Sequence, residues 1–176
     1  VMSVSTVKIC NTGLAYIGKD PIVTINDRTT AAKLCNTLYE GIRDAVLRAH
    51  AWGCAIHRSR LSLSDDYEPP SGYSYAYVLP TDPYCLRVLN MGDDDDDYDY
   101  QVEGRYLLTN ETEAIIKYIK RVVDPNQFDS LLVQTIAARL AADLAMPLTG
   151  SQKIFNSMWG MYELKLQETQ GADNRE

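Results

Sequence analysis

The chain has 176 residues, 45% of them apolar, with a net charge of −7. That length supports one domain, or one domain with a substantial excursion, and it is enough to bury a core. The negative charge argues against nonspecific binding to DNA or to an anionic membrane, both of which select basic surfaces.

Val7, Cys10, Leu14 and Ile17 recur at +3, +4, +3 and predict an amphipathic helix over residues 4–17. Ser5 or Thr6 can cap its start, and Gly18 followed by Lys19-Asp20-Pro21 ends it. After a connector, Thr29 or Thr30 caps a second helix carrying Leu34, Leu38, Ile42, Ala45 and Ala49, closed by Trp52-Gly53. Gly41, in mid-helix, costs up to ~1 kcal/mol relative to Ala and is read as a mark of close helix packing.

From Ala55 the period becomes two. His57, Ser59, Leu61 and Leu63 alternate with Arg58, Arg60 and Ser62 as one half-buried strand. A turn over 65–72 leads to a strand through Tyr73, Tyr75, Tyr77 and Leu79, and Cys85 to Asn90 forms a further short strand. Residues 101–109 read as one strand, with Val102, Gly104, Tyr106 and Leu108 on a single face. Asn110-Glu111-Thr112 reads as a hairpin turn into a strand over 114–123. Asp124-Pro125 starts a third helix whose buried face is Phe128, Leu131 or Leu132, Thr135, Ile136, Leu140 and Leu144. Met146 to Gly150 breaks it. Thr149 or Ser151 caps a fourth helix with Ile154, Phe155, Met158, Met161 and Tyr162, and residues 171–176 form a flexible polar tail. The expected fold is α+β: a four-helix bundle from 1–54 and 124–170, with an inserted β-region over 55–123.

Charge is distributed unevenly over these elements. From Leu61 to Glu113 there are thirteen acidic residues against two basic ones, including the run Asp93-Asp94-Asp95-Asp96-Asp97. Nine of the twelve tyrosines lie between Tyr67 and Tyr118. The Asp run lacks the glycine and distal glutamate of an EF-hand loop, so it reads as a solvated hairpin tip, or as a tip that repels DNA and meets a basic partner, and not as a metal site. Tyr73, Tyr75 and Tyr77 read as sheet packing or a protein interface, since base-stacking platforms sit in positive grooves. On helix four, Met158 and Tyr162 are candidate contact residues.

The chemistry of enzymes is poorly represented. Cys10, Cys35, Cys54 and Cys85 have no C-x-x-C spacing, and they read as free cysteines of a reducing compartment. Neither His50 nor His57 has triad-like neighbours, and no Gly-rich phosphate loop occurs. No secretory h-region and no membrane-spanning run is expected. The reading is therefore of a binding protein without catalytic residues, cofactor or metal.

Four phrases in order resemble one family. Leu14-Ala15-Tyr16-Ile17-Gly18-Lys19-Asp20-Pro21-Ile22 is similar to its "ILxxIGExP", and Ala51-Trp52-Gly53 to its "RGWxF". Leu79-Pro80-Thr81-Asp82 in a tyrosine-rich β-region is similar to its "LPxDYL", and Phe128 to Tyr162 has the layout of its long helical hairpin. Over nearly its whole length the chain resembles the head-to-tail adaptors of short-tailed bacteriophages, also called tail tubular protein A or the gatekeeper ring. It departs from them at Cys54-Ala55, where an aromatic is expected, and in its Asp run.

The resemblance implies a structural virion protein of the tail, made in the host cytoplasm, that forms a dodecameric ring. Its partners would be the portal protein on the helical side and the tail nozzle or fibre protein on the β side. Genome DNA would pass through the channel without specific binding. Two alternatives are a virion-associated peptidoglycan hydrolase with an acid pair among Asp65, Asp66, Glu68 and Glu103, and a cellular α+β interaction module.

Overall fold

The computed structural model describes residues 4–94 and 97–173. The chain divides into two compact units: Val1–Cys54 with Val122–Glu176, and Ala55–Arg121.

The first unit is helical. Helix α1 (Thr6–Tyr16) starts at Ser5, whose hydroxyl accepts the Lys8 N–H. It ends in a Schellman closure: Gly18, at φ +70°, donates to the Ala15 carbonyl and Lys19 donates to that of Leu14. Helix α2 (Thr30–Ala49) is capped by Thr29. The connector between them is pinned by Asn11, whose side-chain amide both accepts from and donates to the Ile22 backbone at 2.8 and 2.9 Å. Helix α3 (Ser130–Thr149) begins where Asp129 accepts the N–H groups of Leu131 and Leu132. It therefore starts later than Asp124-Pro125, which opens a separate 3₁₀ turn, Pro125–Gln127. Pro147 lies inside the last turn of α3 and does not break it. Gly150, at φ +66°, closes the helix by donating to the Met146 carbonyl. Helix α4 (Gln152–Asp173) follows with Ser151 accepting the Ile154 N–H, and it runs through Gly171 to Asp173, where a flexible tail was expected.

These helices do not form the expected four-helix bundle. Helix α3 is central, and α1, α2 and α4 pack on it, whereas α1 and α2 touch sparsely and α4 packs along α3. The reason is in α3 itself. Leu132, Thr135, Ile136, Leu140 and Leu144 are buried, but so are Ala137, Ala138, Ala141, Ala142 and Ala145. A helix apolar around most of its circumference is a core helix, and its alanines let neighbours approach closely. On α1 the closest approach is Gly13, where an added Cβ would lie 3.1 Å from the Ala137 carbonyl oxygen. Close packing thus falls at Gly13; Gly41 has open space around it. Among the described residues α3 is also the one helix long and apolar enough to cross a membrane, but over half of that window is buried within the protein.

The second unit is no excursion from a bundle. Among the described residues seven strands make two antiparallel sheets with their own core. Sheet A has the order β1 (Ile56–Arg60), β7 (Ile115–Lys120), β4 (Cys85–Met91). Sheet B has the order β2 (Ser62–Leu63), β3 (Tyr75–Val78), β6 (Tyr106–Thr109), β5 (Tyr100–Glu103). Three sequence readings fail here. The single strand over 57–63 changes sheets at Leu61, whose N–H donates to the Ala114 carbonyl, so Leu63 is half exposed. The single strand over 101–109 is a hairpin. Gly104, at φ +58°, takes the first central position of a two-residue turn, where only glycine is comfortable. Asn110 to Thr112 is not a hairpin turn, because β6 and β7 belong to different sheets.

The shared core holds Leu61, Tyr77, Leu79, Cys85, Met91, Leu107, Ala114, Ile116 and Tyr118. Two register shifts in β4 explain its odd spacing. One extra residue in each interval lets Cys85, Val88 and Met91 all face inward, opposite Lys120, Tyr118 and Ile116. Arg87 and Asn90 then lie on the outer face, away from the shared core, level with Ile119 and Lys117, and both side chains are partly buried there.

Candidate interaction surfaces

The tyrosines expected at an interface divide by depth. Tyr77 is 2% exposed and belongs to the core. Its hydroxyl donates to the Glu111 carbonyl at 2.9 Å, and desolvation raises its pKa. It cannot be a docking residue. Tyr75 lies on the same face, half buried against that core, with its ring 6.3 Å from that of Tyr77. Tyr73 precedes β3 in the loop, half buried, its hydroxyl donating to Gln101 Oε1 at 3.3 Å. Sheet B is covered on its other face too: Tyr67 stacks on Tyr106 with ring centroids 4.1 Å apart, and Ala76 and Leu108 are buried. Most of the tyrosine enrichment therefore builds the sandwich. The hydroxyls are satisfied at carbonyls, as buried phenols require: Tyr118 donates to Pro83, and Tyr100 to Leu89.

The Asp run is not at a hairpin tip. It lies between β4 and β5, which belong to different sheets. Asp93 and Asp94 follow β4, and Asp97 precedes β5, exposed; Asp95 and Asp96 lie outside the described residues. Asp94 is tied back to the outer face of sheet A. It accepts from Lys117 Nζ at 2.9 Å, from Asn90 at 3.2 Å and from Arg58 at 3.5 Å. The Lys117 hydrogen bond, helped by the nearby cationic charges, holds its carboxyl below the usual range. That outer face carries Arg58, Arg60, Arg87 and Lys117 together. Sequence reading did not group these four; only the β4 register shifts and the β1–β7 register bring them together.

On the helical unit, α4 carries an aromatic row. Phe155 and Trp159 are half buried with centroids 6.1 Å apart, and Trp159 and Tyr162 are 5.5 Å apart. Arg139 of α3 lies over both the Trp159 and Tyr162 rings. Tyr162 is 6% exposed, so it anchors α4 to α3 and is not a surface contact. Met158 is half buried, and Leu164 is an exposed apolar residue of this helix.

The phrases behind the family resemblance occupy structural corners. Ile17-Gly18 is the α1 closure described above. Trp52 is buried, its indole N–H donating to the Val46 carbonyl at 2.9 Å. Leu79 is in the β core. The Pro80 carbonyl accepts from Arg105, which also donates to Cys85, both at 2.7 Å, with its guanidinium over the Tyr84 ring.

The carboxylates considered for hydrolysis, Asp65, Asp66, Glu68 and Glu103, are all exposed. A cleft of about 470 Å³ opens at the start of α3, but its carboxylate, Asp129, is committed to capping that helix. Among the described residues no three His, Cys, Asp or Glu side chains converge as a metal site would need. Cys10 and Cys35, on α1 and α2, are buried together. The Cys10 thiol donates to Cys35, and that bond with burial holds it protonated, as befits a core thiol.

No family model matches the chain, and no curated protein matches it.

Proposed function

We propose that this chain is a structural adaptor of a short-tailed phage virion, forming a ring that joins the portal to the tail nozzle or fibres around the DNA channel. The observation that carries the reading is the division into two compact units of different chemistry. The β unit, Ala55–Arg121, holds thirteen acidic and seven basic residues, against eleven and ten in the helical unit. The helical unit instead offers the half-buried Phe155, Met158 and Trp159 of α4 with the exposed Leu164. An adaptor needs two such surfaces so that its two partners do not compete. The family-like phrases at Ile17-Gly18, Trp52 and Leu79-Pro80 support the reading further, because they lie at corners that set the path of the chain. Excess negative charge also suits a channel wall, since basic side chains would retain the genome through its phosphates.

The test is reconstitution. Purified chain mixed with the portal ring of its own virion should decorate one end of that ring with rotationally symmetric density in electron micrographs. A chain that leaves the portal bare, in the presence or absence of the nozzle protein, refutes the adaptor role.

A further inference from the structure

Strands β1 and β5 are the open edges that matter in the β unit. Each ends its sheet, pairing only with β7 or only with β6. A protected edge carries a proline, a bulge, side-chain charge or very few residues, and here the charge has opposite sign on the two edges, Arg58 and Arg60 on β1 and Glu103 on β5. Neither strand contains proline, and both pair in unbroken register. The Leu61–Ala114 bond sets the alternation along β1, turning the N–H and C=O of Arg58 away from β7. The two-residue turn at Gly104-Arg105 does the same for Val102 on β5. Val102 is 41% exposed.

The side chains of the two edges are complementary face by face. On β1, Arg58 and Arg60 point outward, while His57 and Ser59 share the face of Tyr118 and Ile116. On β5, Glu103 and Gln101 share one face, while Val102 and Tyr100 share the face of Leu107 and Thr109. Asp97 and Asp99 lie just ahead of β5. Setting β5 against β1 therefore places Tyr100 and Val102 beside His57 and Ser59 on the core side and brings Glu103 to the arginines on the other. Setting either edge against itself is disfavoured, because β1 on β1 gathers arginines and β5 on β5 gathers Glu103 with the Asp97 and Asp99 that precede the strand, with no cation between them. Within the chain, Arg58 reaches Asp94 at 3.5 Å and Arg60 reaches Glu113 at 2.6 Å, both exposed pairs that exchange readily for an intermolecular partner.

We infer that the β5 edge of one copy adds to the β1 edge of a second copy, so that the copies join head to tail through a continuous intermolecular sheet. The contact is heterologous, and heterologous contacts close into rings or run on as filaments. The inference deepens the ring-forming adaptor reading and rests on it for ring closure, while the edge pairing stands on the two strands alone.

Charge reversal tests it on the full chain. One variant carries Arg58→Glu and Arg60→Glu; the other carries Gln101→Lys and Glu103→Lys. Native mass spectrometry and sedimentation should show the unmodified chain assembling with concentration. Each variant alone should assemble more weakly, by on the order of tenfold or more. An equimolar mixture of the two should regain assembly, because each variant's β5 then meets an oppositely charged β1. Circular dichroism of each variant separates loss of pairing from loss of fold, and a single chain carrying all four changes provides a second rescue. The inference is overturned if the unmodified chain stays monomeric at its highest soluble concentration, if either variant assembles undiminished, or if neither rescue restores assembly. Portal binding that is insensitive to these reversals sinks the edge pairing and spares the adaptor. Rescued assembly without portal binding does the opposite.

Discussion

The helical and β units solve the burial problem with opposite materials. The helical core is small-grained: five alanines of α3, with Gly13 of α1, bring backbones close, and leucines fill what remains. The β core is coarse-grained. Tyrosines span the space between two sheets, and their hydroxyls stop at carbonyls of loops and strand ends. The first design leaves few polar groups to satisfy and depends on steric fit. The second depends on matching each phenol to an acceptor, which ties the loops to the core. The units should therefore respond differently to the same kind of perturbation.

The largest effect is expected from Leu140→Ala. Leu140 is fully buried in the middle of α3, which every other helix packs on. Loss of its side chain should cost ~2–5 kcal/mol, measured by urea unfolding followed by circular dichroism. A cost below ~1 kcal/mol would show that α3 is not the centre of this unit.

Next come two glycine-to-alanine changes of opposite sign. At Gly13 the new methyl meets the Ala137 carbonyl oxygen at 3.1 Å, so α1 and α3 must part, at a cost of ~1–3 kcal/mol that overrides the gain in helix propensity. At Gly41 nothing lies within 4 Å, and alanine should stabilise by up to ~1 kcal/mol. Equal effects at both positions would contradict the close α1–α3 approach.

The same pair shows what was legible in the sequence. Helices announce themselves locally: Ser5, Thr29, Gly18 and Gly150 act within a few residues of themselves, and the helix positions followed. Which glycine is crowded depends on a helix more than a hundred residues away. The alanines of α3 were not among its expected buried residues and proved to be packing. In the β unit the alternation was visible, but sheet membership was not. Leu61 and Gly104 sit inside unbroken alternating patterns, and only the partner strand shows that the chain leaves one sheet or turns back. The one local signal was Gly104 itself, a residue that weakens a strand interior and favours a turn. Tyr77 was grouped with Tyr73 and Tyr75 by spacing, yet it is the core member and Tyr73 lies in the loop. For Asp94, a run of like charge suggested a repelling tip. The Arg58, Lys117 and Asn90 side chains that hold it come from two other strands and from β4's shifted register.

A smaller effect should follow Tyr77→Phe. The ring still fills the core, but the Glu111 carbonyl loses its donor. The expected cost is ~0.5–1.5 kcal/mol, with faster amide exchange in the loop at 110–113 as the specific sign. Tyr73→Phe, whose 3.3 Å bond is exposed, should be nearly silent. If the two substitutions cost the same, the phenols do not fasten the loops to the β core.

The smallest effect concerns Asp94 and is read by titration. Its carboxyl accepts from Lys117 and sits beside Arg58, so its pKa in the folded chain is lowered, while in the unfolded chain it returns to ~3.9. The folded state then binds fewer protons than the unfolded one around that value. The stability Asp94 contributes is therefore complete above the unfolded pKa and is lost as pH falls through the lower folded one. Because the group is exposed, the contribution is small and should shrink further with salt. Carbon-detected NMR of the Asp94 carboxyl should show a titration displaced to lower pH, with the Lys117 Nζ resonance moving in step. In Lys117→Met the Asp94 titration should move back toward the ordinary value, since the largest cause is removed, although Arg58 still lowers it somewhat. An unchanged titration in that variant would mean that Arg58 and Asn90 hold the segment after β4 without Lys117.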